Sequence, residues 1–253
     1  MADTKALAGK VAIVTGSGKN IGKSIVEALA AEGAAVVVNG RGDRAIVENT
    51  AKAINQAGGR AMPFLADIST PDAVAAMVAA AVKEFGGVDI AVSNAGLRRQ
   101  TPFVEMSLEE WHEILSVALD GAFILAKAVV PEMIKRGGGA IVGLSGVSHH
   151  AGSRGRVHVN ASKAGLEGFI RGLAMELAPH NITANTVAPG SIDTVRGPSA
   201  GGPHGRSITR EIPLGRHGKP EEIAATVAFL AGPNGRYITG QTLHVNGGLF
   251  FGK

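Results

Sequence analysis

A glycine-rich turn is the first group of residues in this 253-residue chain whose types and spacing could do chemistry. The stretch VTGSGKNIG (14–22) directly follows a short apolar run and precedes a helical pattern. Gly16 permits a sharp turn, Gly18 lets backbone N–H groups approach a pyrophosphate, and Gly22 allows close packing of the helix against the strand. A bound anion would lie at the positive end of that helix. The spacing therefore favours a nucleotide site over a purely structural turn.

A second group surrounds Lys163, which stands in an Ala/Gly/Ser-rich setting at the start of a long apolar helical pattern. The segment before it, VSHHAGSRGRVHVN (147–160), carries His149, His150, Arg154, Arg156 and His158. Histidine titrates near neutral pH and is the usual proton-transfer residue. His158 is thus a candidate catalytic group, the alternative being a solvated loop histidine. The cations here and in 195–210 favour an anionic ligand such as a carboxylate or an acyl thioester.

Short apolar runs that alternate with longer helical patterns must position these residues. Strands are predicted at 10–15, 34–39, 61–66, 88–94, 139–145, 182–188 and 241–247, and helices at 20–32, 43–57, from 70–71 onward, and at 109–119, 122–135, 159–177 and 220–230. Continuous hydrophobicity in the runs indicates strands covered on both faces. The pattern predicts an α/β protein with a Rossmann-type, doubly wound, mostly parallel sheet of about seven strands and helices on both faces.

The domain organisation follows from the same pattern. We expect a single domain over 1–253, because no repeat or low-complexity linker divides the chain. Residues 191–216 are rich in Gly and Pro, and they are predicted to form a mobile substrate lid. In doubly wound sheets, ligands bind beyond the carboxyl ends of the strands, where this sequence places its Gly, Asn, Asp and Pro residues.

Six motifs in order make the chain resemble the short-chain dehydrogenase/reductase family over nearly its whole length. They are TGSGKNIG (15–22), LADIS (65–69), SNAG (93–96), VAPGSIDT (187–194), GRHGKPEEIA (215–224) and ITGQTLHVNGG (238–248). The turn departs from the family pattern at Asn20, which replaces a glycine. Asparagine tolerates positive φ better than most residues, so the turn can still form.

The resemblance implies a set of cofactor-binding residues. Asp67 and Ile68 would flank an adenine, Asn94, Ala95 and Gly96 would line a ribose, and Lys163 would hold ribose hydroxyls. Pro189, Gly190, Ile192 and Thr194 would hold the nicotinamide end. The turn itself would contribute Gly16, Ser17, Lys19, Asn20, Ile21 and Gly22.

The choice between NADP and NAD depends on charge at the end of the second strand. A free ribose 2′-hydroxyl is usually held by an acid there, whereas a 2′-phosphate needs cations. The strand ends VNGRGD, with no acid at the expected place and with Arg41 just beyond. Lys19 lies in the glycine-rich turn, and basic residues at these two places accompany NADP in the family. We therefore expect NADP in preference to NAD.

The family's proton relay has its counterparts at four positions, of which only one carries the family residue. The family transfers a hydride between a nicotinamide and a carbonyl or alcohol, using Tyr, Lys, Ser and Asn. Lys163 matches the lysine, whereas the other three positions hold Val159, Gly146 and Ala118. Ser145 is one residue away from the serine position and would point to the other face of its strand. A missing general acid typically costs 10²–10⁴-fold in rate.

These substitutions leave three hypotheses open. The main one is a non-catalytic family member that binds NADP and acts as a structural or regulatory subunit, with little or no dehydrogenase activity. The second is an active NADP-dependent oxidoreductase with a replaced proton relay. The third is a non-redox enzyme that performs hydration or elimination in the same pocket.

Composition limits partners and location. Net charge is +4 with dispersed cations, which disfavours nucleic acid as a partner, and there is no cysteine. The sequence shows no signal peptide and no uninterrupted apolar run long enough to span a bilayer, so we expect a cytoplasmic protein that does not enter membranes. No metal site is expected, because the His and acidic residues lack ligand spacing. Apolar stripes in 122–133 and 161–177 predict a homodimer or homotetramer, or pairing with an active relative.

Overall fold

The computed structural model describes residues 5–195 and 211–252. The strands are β1 Val11–Val14, β2 Ala35–Gly40, β3 Arg60–Leu65, β4 Ile90–Ser93, β5 Gly139–Leu144, β6 Ile182–Pro189 and β7 Thr242–Val245. The helices are α1 Asn20–Ala31, α2 Arg44–Gln56, α3 Pro71–Phe85, α4 Leu108–Leu115, α5 Gly121–Lys135, α6 Ser148–Ala151, α7 Val157–Leu177 and α8 Pro220–Ala231. A π-helical turn, Ser116–Asp120, joins α4 to α5. The predicted fold class is confirmed.

The seven strands form one parallel sheet in the order β3-β2-β1-β4-β5-β6-β7. The order reverses direction between β1 and β4, where crossovers leave a crevice at the carboxyl ends of the strands. β1 and β4–β6 are buried along their whole length, and polar residues interrupt the apolar run only in β6 and at the end of β4. β3 lies at the edge and contains Pro63, which an interior strand would not accept.

Two apolar layers cover the sheet, one on each face. Residues of α1, α2 and α8 pack on one face, around Ile25, Val36 and Val227. Residues of α3, α5 and α7 pack on the other, around Ile13, Met77 and Leu166. The core is therefore built from aliphatic side chains, as expected from a chain with only 4% aromatic residues.

A buried carboxylate ties the opposite, amino-terminal edge of the sheet together. Asp89 is 3% exposed and immediately precedes β4. It accepts hydrogen bonds from the Val11 backbone at 3.0 Å, from Lys10 Nζ at 3.2 Å, and from Arg136 Nε at 3.2 Å and Nη2 at 2.9 Å. This anchor links the starts of β1 and β4 to the end of α5.

The run Leu108–Lys135, which combines α4, the π turn and α5, could cross a membrane by length and composition. In this fold its inner side chains, including Leu125, Val129 and Met133, are buried in the core beneath the sheet. A core helix of a water-soluble protein has the same properties, so the run is weak support for a membrane span.

Candidate active site

A cleft of about 910 Å³ opens at the carboxyl ends of β1, β4, β5 and β6. It lies at the reversal of strand order, where a doubly wound sheet binds its ligands. The structure brings most of the predicted site residues into its wall: Gly16, Lys19, Asn20, Ile21, Gly22, Arg41, Asp67, Ile68, Asn94, Ala95, Gly96, Gly146, Val159, Lys163, Pro189, Gly190, Ile192 and Thr194. Ser17, Ala118 and His158 do not line it.

The glycine-rich turn has the geometry that a dinucleotide requires. Gly16 has φ +62°, and Asn20 has φ +52°, so asparagine does adopt the left-handed conformation at the departure from the family pattern. A Cβ on Gly22 would lie 2.4 Å from the Gly16 carbonyl oxygen, which excludes any larger residue there. No side chain caps the N-terminus of α1, and no acid lies in its first turn. This end of the helix therefore suits a phosphate.

Two asparagines and a threonine hold the turn in place. Asn94 Nδ2 donates to the carbonyl oxygens of Thr15 at 2.9 Å and Gly16 at 3.0 Å. Thr15 Oγ1 in turn accepts the backbone N–H groups of Asn94 and Ala95, each at 3.0 Å. Asn39, at the end of β2, accepts the Gly16 N–H at 3.1 Å. The shape of the turn thus rests on side chains from three strand ends.

Ser17 has a structural place in this network. Its hydroxyl donates to the Val14 carbonyl at 2.7 Å and accepts the Asn39 N–H at 2.9 Å, and the side chain is buried. Ser17 therefore stabilises the turn through these two hydrogen bonds.

The adenosine end of the cleft carries cations and one acid. Lys19 and Arg41 lie in the wall, and Arg41 Nη1 lies 3.7 Å from Asp67 Oδ2. A hydrogen bond from Ser69 at 2.6 Å, supported by the Arg41 guanidinium, holds the pKa of Asp67 below its usual value despite partial burial. Asn39 and Gly40 end β2, so no carboxylate stands where a ribose 2′-hydroxyl would need one.

Lys163 lies on the first turns of α7 and points into the cleft wall. Its Nζ donates to the Leu144 carbonyl at 2.5 Å and lies 3.6 Å from the place where a Cβ of Gly96 would stand. Burial, together with the nearby charge of Arg98, lowers the pKa of Lys163 to about 8. One N–H of the ammonium thus donates to the Leu144 carbonyl. A group with a pKa near 8 can both donate and accept a proton near neutral pH.

The three other relay positions hold small residues that carry no titratable group. Val159 is 7% exposed, one helical turn before Lys163. Gly146 has open space where a Cβ would be, with no atom within 4 Å. Ala118 is buried in the π turn, about a van der Waals contact from a Cβ placed on Gly96. Ser145 also lines the cleft, and its Oγ donates to the Val187 carbonyl at 3.3 Å.

The structure does not bring His158 to the cleft. Its ring is fully buried between α4 and α7, where Nε2 lies 2.9 Å from Glu110 Oε1 and Nδ1 accepts the Val159 N–H at 2.9 Å. Because Nδ1 is an acceptor, the proton belongs on Nε2, which donates to Glu110. Neighbouring helical residues point about 100° apart, so His158 cannot reach the space beside Val159.

His149 and His150 do not overhang the cleft either. Both imidazoles instead meet Glu167 of α7, with Nε2 atoms at 3.1 Å and 3.2 Å from Glu167 Oε1. Sequence reasoning missed this group of three, because α6 was not predicted and 17 residues separate Glu167 from His150. Of the cationic loop residues singled out, Arg156 does line the cleft.

Comparison with known proteins identifies the family. Residues 16–250 match the family model described as enoyl-(acyl carrier protein) reductase. A short-chain type dehydrogenase/reductase from Mycobacterium marinum has a similar structure, with a TM-score of 0.87, 34% identity and coverage of 98% of this chain and 97% of that one. This chain belongs to the short-chain dehydrogenase/reductase family.

Two further relatives indicate what members of this family do. The 3-oxoacyl-(acyl-carrier-protein) reductase FabG of Vibrio cholerae is 41% identical over 96% of this chain and 98% of its own length. A blue fluorescent protein from a metagenomic library, solved in complex with NADPH, has a TM-score of 0.90 and 35% identity, covering 97% of this chain and 100% of that one.

These relatives overturn the main functional expectation. From three substituted positions we expected a non-catalytic short-chain dehydrogenase/reductase with a structural or regulatory role. That expectation is wrong, because relatives with 38–41% identity over nearly the full length are named as reductases. The family's Tyr, Ser and Asn are absent, but Lys163 remains, and its pKa in this cleft is lowered to about 8.

Proposed function

We propose that this chain is an active NADP(H)-dependent oxidoreductase that reduces a carbonyl group, with Lys163 as the proton donor of a replaced relay. The position of the Lys163 side chain carries this proposal: it lines the cleft near the carboxyl end of β5, where its Nζ donates to the Leu144 carbonyl. The positions that the resemblance assigns to Asn, Ser and Tyr hold Ala118, Gly146 and Val159. None of these three can transfer a proton.

The glycine-rich turn and Lys163 would have separate roles in this reaction. NADPH, when bound, supplies the hydride to the carbonyl carbon. The glycine-rich turn would hold its pyrophosphate, and Asn94 keeps that turn in shape. Lys163, anchored by the Leu144 carbonyl, would give a proton to the carbonyl oxygen as negative charge develops there. It would then recover a proton from solvent.

The substrate class proposed is a 3-oxoacyl thioester. Relatives are named for this activity, and the substrate end of the cleft contains Arg98, Arg99 and Arg156. Arg99 pairs with Glu113 at 2.6 Å, and Arg98 and Arg156 also add positive charge to the cleft wall. Such a wall suits the anionic ligand expected from the loop cations. The predicted lid at 191–216 falls largely on 196–210, which lie outside the described residues.

A cofactor titration tests the preference for NADP. We expect NADPH to bind more tightly than NADH, because Lys19 and Arg41 line the cleft where a 2′-phosphate would lie. A charge-assisted hydrogen bond is worth about 1.5–3 kcal/mol, so Lys19→Ala and Arg41→Ala should each weaken NADPH binding by at least about tenfold. NADH affinity should change little. Calorimetry on the two variants, with exposed Lys52→Ala as a matched control, measures this.

The outcome of that titration also distinguishes the oxidoreductase proposal from a non-redox use of the pocket. Equal affinity for NADPH and NADH would contradict the preference. Failure of both to bind would remove the oxidoreductase proposal and favour the non-redox use of the pocket.

The chain is further proposed to be a cytoplasmic homodimer or homotetramer. Helices α4, α5 and α7 expose large apolar side chains, with Leu108 65%, Phe123 51% and Met175 83% exposed. Phe123 packs edge-on against Phe169 of α7, which makes a continuous apolar surface over two helices. The single sheet of seven strands supports one domain.

A charge on this surface should disrupt the assembly. We expect light scattering to show a dimer or tetramer for the wild type, and Phe123→Glu to shift it toward smaller species because a carboxylate would be desolvated in the interface. A wild-type monomer at micromolar concentration, with no relative captured as partner, would contradict the proposal.

A further inference from the structure

The strongest feature outside the cleft is a compact group formed by His149, His150 and Glu167. Each residue offers one ligand atom, and these atoms lie within 4.8 Å of one another. The two imidazole Nε2 atoms lie 3.1 Å and 3.2 Å from the same carboxylate oxygen. His149 and Glu167 side chains are only 5% and 6% exposed, and that of His150 is 20% exposed.

Hydrogen bonds do not account for the burial of the His149 ring. Both of its ring nitrogens are buried, and within the described part of the chain neither has a hydrogen-bond partner. Its Nε2 is close to Glu167 but is not oriented for a hydrogen bond to it. A buried nitrogen without a partner is costly, and its lone pair is available to a metal ion.

We propose that His149, His150 and Glu167 form a binding site for a divalent transition-metal ion, with zinc as the best fit. Two imidazoles and a carboxylate form a known zinc ligand set, and imidazole disfavours Mg²⁺ and Ca²⁺. Bonds of about 2.0–2.2 Å in a tetrahedron separate the ligand atoms by about 3.3 Å. The two imidazole-to-carboxylate distances, 3.1 Å and 3.2 Å, are close to that separation, and a metal would replace the hydrogen bond between His150 Nε2 and Glu167 Oε1.

Two further rings pack around the site. The His150 ring stacks on Phe250 at 4.7 Å and meets the edge of His244 at 4.8 Å between centroids. Such neighbours fix the orientation of a ligand ring. The site lies behind the cleft wall formed by Ser145–Ser148, so the metal would clip helix α6 to α7 and fix that wall.

Zinc and cobalt titrations of the purified, chelator-treated protein test the site. We expect one equivalent of Zn²⁺ to bind, to raise the melting temperature, and to displace Co²⁺ whose visible absorption reports a four-coordinate site. His149→Gln and Glu167→Gln should each weaken Zn²⁺ binding by at least about tenfold and abolish the melting shift. His180→Gln, which changes an exposed histidine, should leave both unchanged.

Circular dichroism of each variant checks its fold. If Glu167→Gln does not fold, His150→Gln decides, because that side chain is partly exposed and its loss is better tolerated. Absence of stoichiometric Zn²⁺ uptake by the wild type, or equal uptake by the folded ligand variants, would overturn the proposal.

Discussion

Replacement of Lys163 by methionine is expected to lower kcat/KM for NADPH-dependent reduction of a 3-oxoacyl thioester by about 10²–10⁴-fold. Methionine keeps the length and most of the volume of the side chain but cannot transfer a proton. The bond to the Leu144 carbonyl is lost as well. Steady-state kinetics of Lys163→Met, with the exposed Lys52→Met as a matched control, measure the effect.

The pH dependence separates proton donation from simple binding. The pKa of Lys163 is lowered to about 8, and a proton donor must be protonated before the reaction. Reduction by the wild type should thus be fastest below pH 8 and should fall by tenfold per pH unit well above it. Lys163→Met should lose this limb of the profile. A wild-type rate that does not change between pH 7 and pH 10 would contradict the assignment.

The second large expected effect is a gain in reductase activity. The triple variant Val159→Tyr, Gly146→Ser and Ala118→Asn is expected to raise NADPH-dependent reduction by at least about tenfold, within the 10²–10⁴ that acid–base catalysis supplies. The cationic Lys163 would lower the pKa of the new phenol, which is near 10 in isolation. The serine has room, because nothing lies within 4 Å of a Cβ at Gly146.

Single variants provide the controls for this gain. Val159→Tyr alone should gain less, because its hydroxyl lacks partners and a ring in place of a nearly buried valine costs about 1–3 kcal/mol. Gly146→Ser alone should fold like the wild type. Each variant needs a melting curve and an NADPH titration. A triple variant that folds and binds NADPH without any gain would mean that the family relay cannot be rebuilt in this pocket.

Most of the fold could be predicted from the sequence, because the signals are local. Short, mostly apolar runs identified all seven strands, and the Gly-rich turn after β1 identified the edge of the sheet where the cleft lies. The positions around Lys163 also followed from spacing, since Val159 and Lys163 share one helix. Six ordered motifs then located most of the cleft wall.

What the sequence could not show depends on contacts between distant residues. We expected an inactive protein because three catalytic side chains are missing. The lowered pKa of Lys163 depends on its burial and on the nearby Arg98, and the sequence shows neither contact. His158 was a candidate because it adjoins Val159 in sequence, whereas its partner is Glu110, 48 residues away. The short helix α6 has no apolar period, so the meeting of its histidines with Glu167 was not predicted.

The buried carboxylate Asp89 has a consequence for how this protein can evolve. It concentrates charge pairing at the amino-terminal edge of the sheet, where losing a partner would cost about 3–5 kcal/mol. The reacting groups lie at the other edge and take no part in that anchor. Exchanges at Ala118, Gly146 or Val159 therefore leave this anchor intact, and their cost is limited to local packing around the cleft. The cleft can thus change its chemistry without loss of the charge pairing that holds the other edge of the sheet.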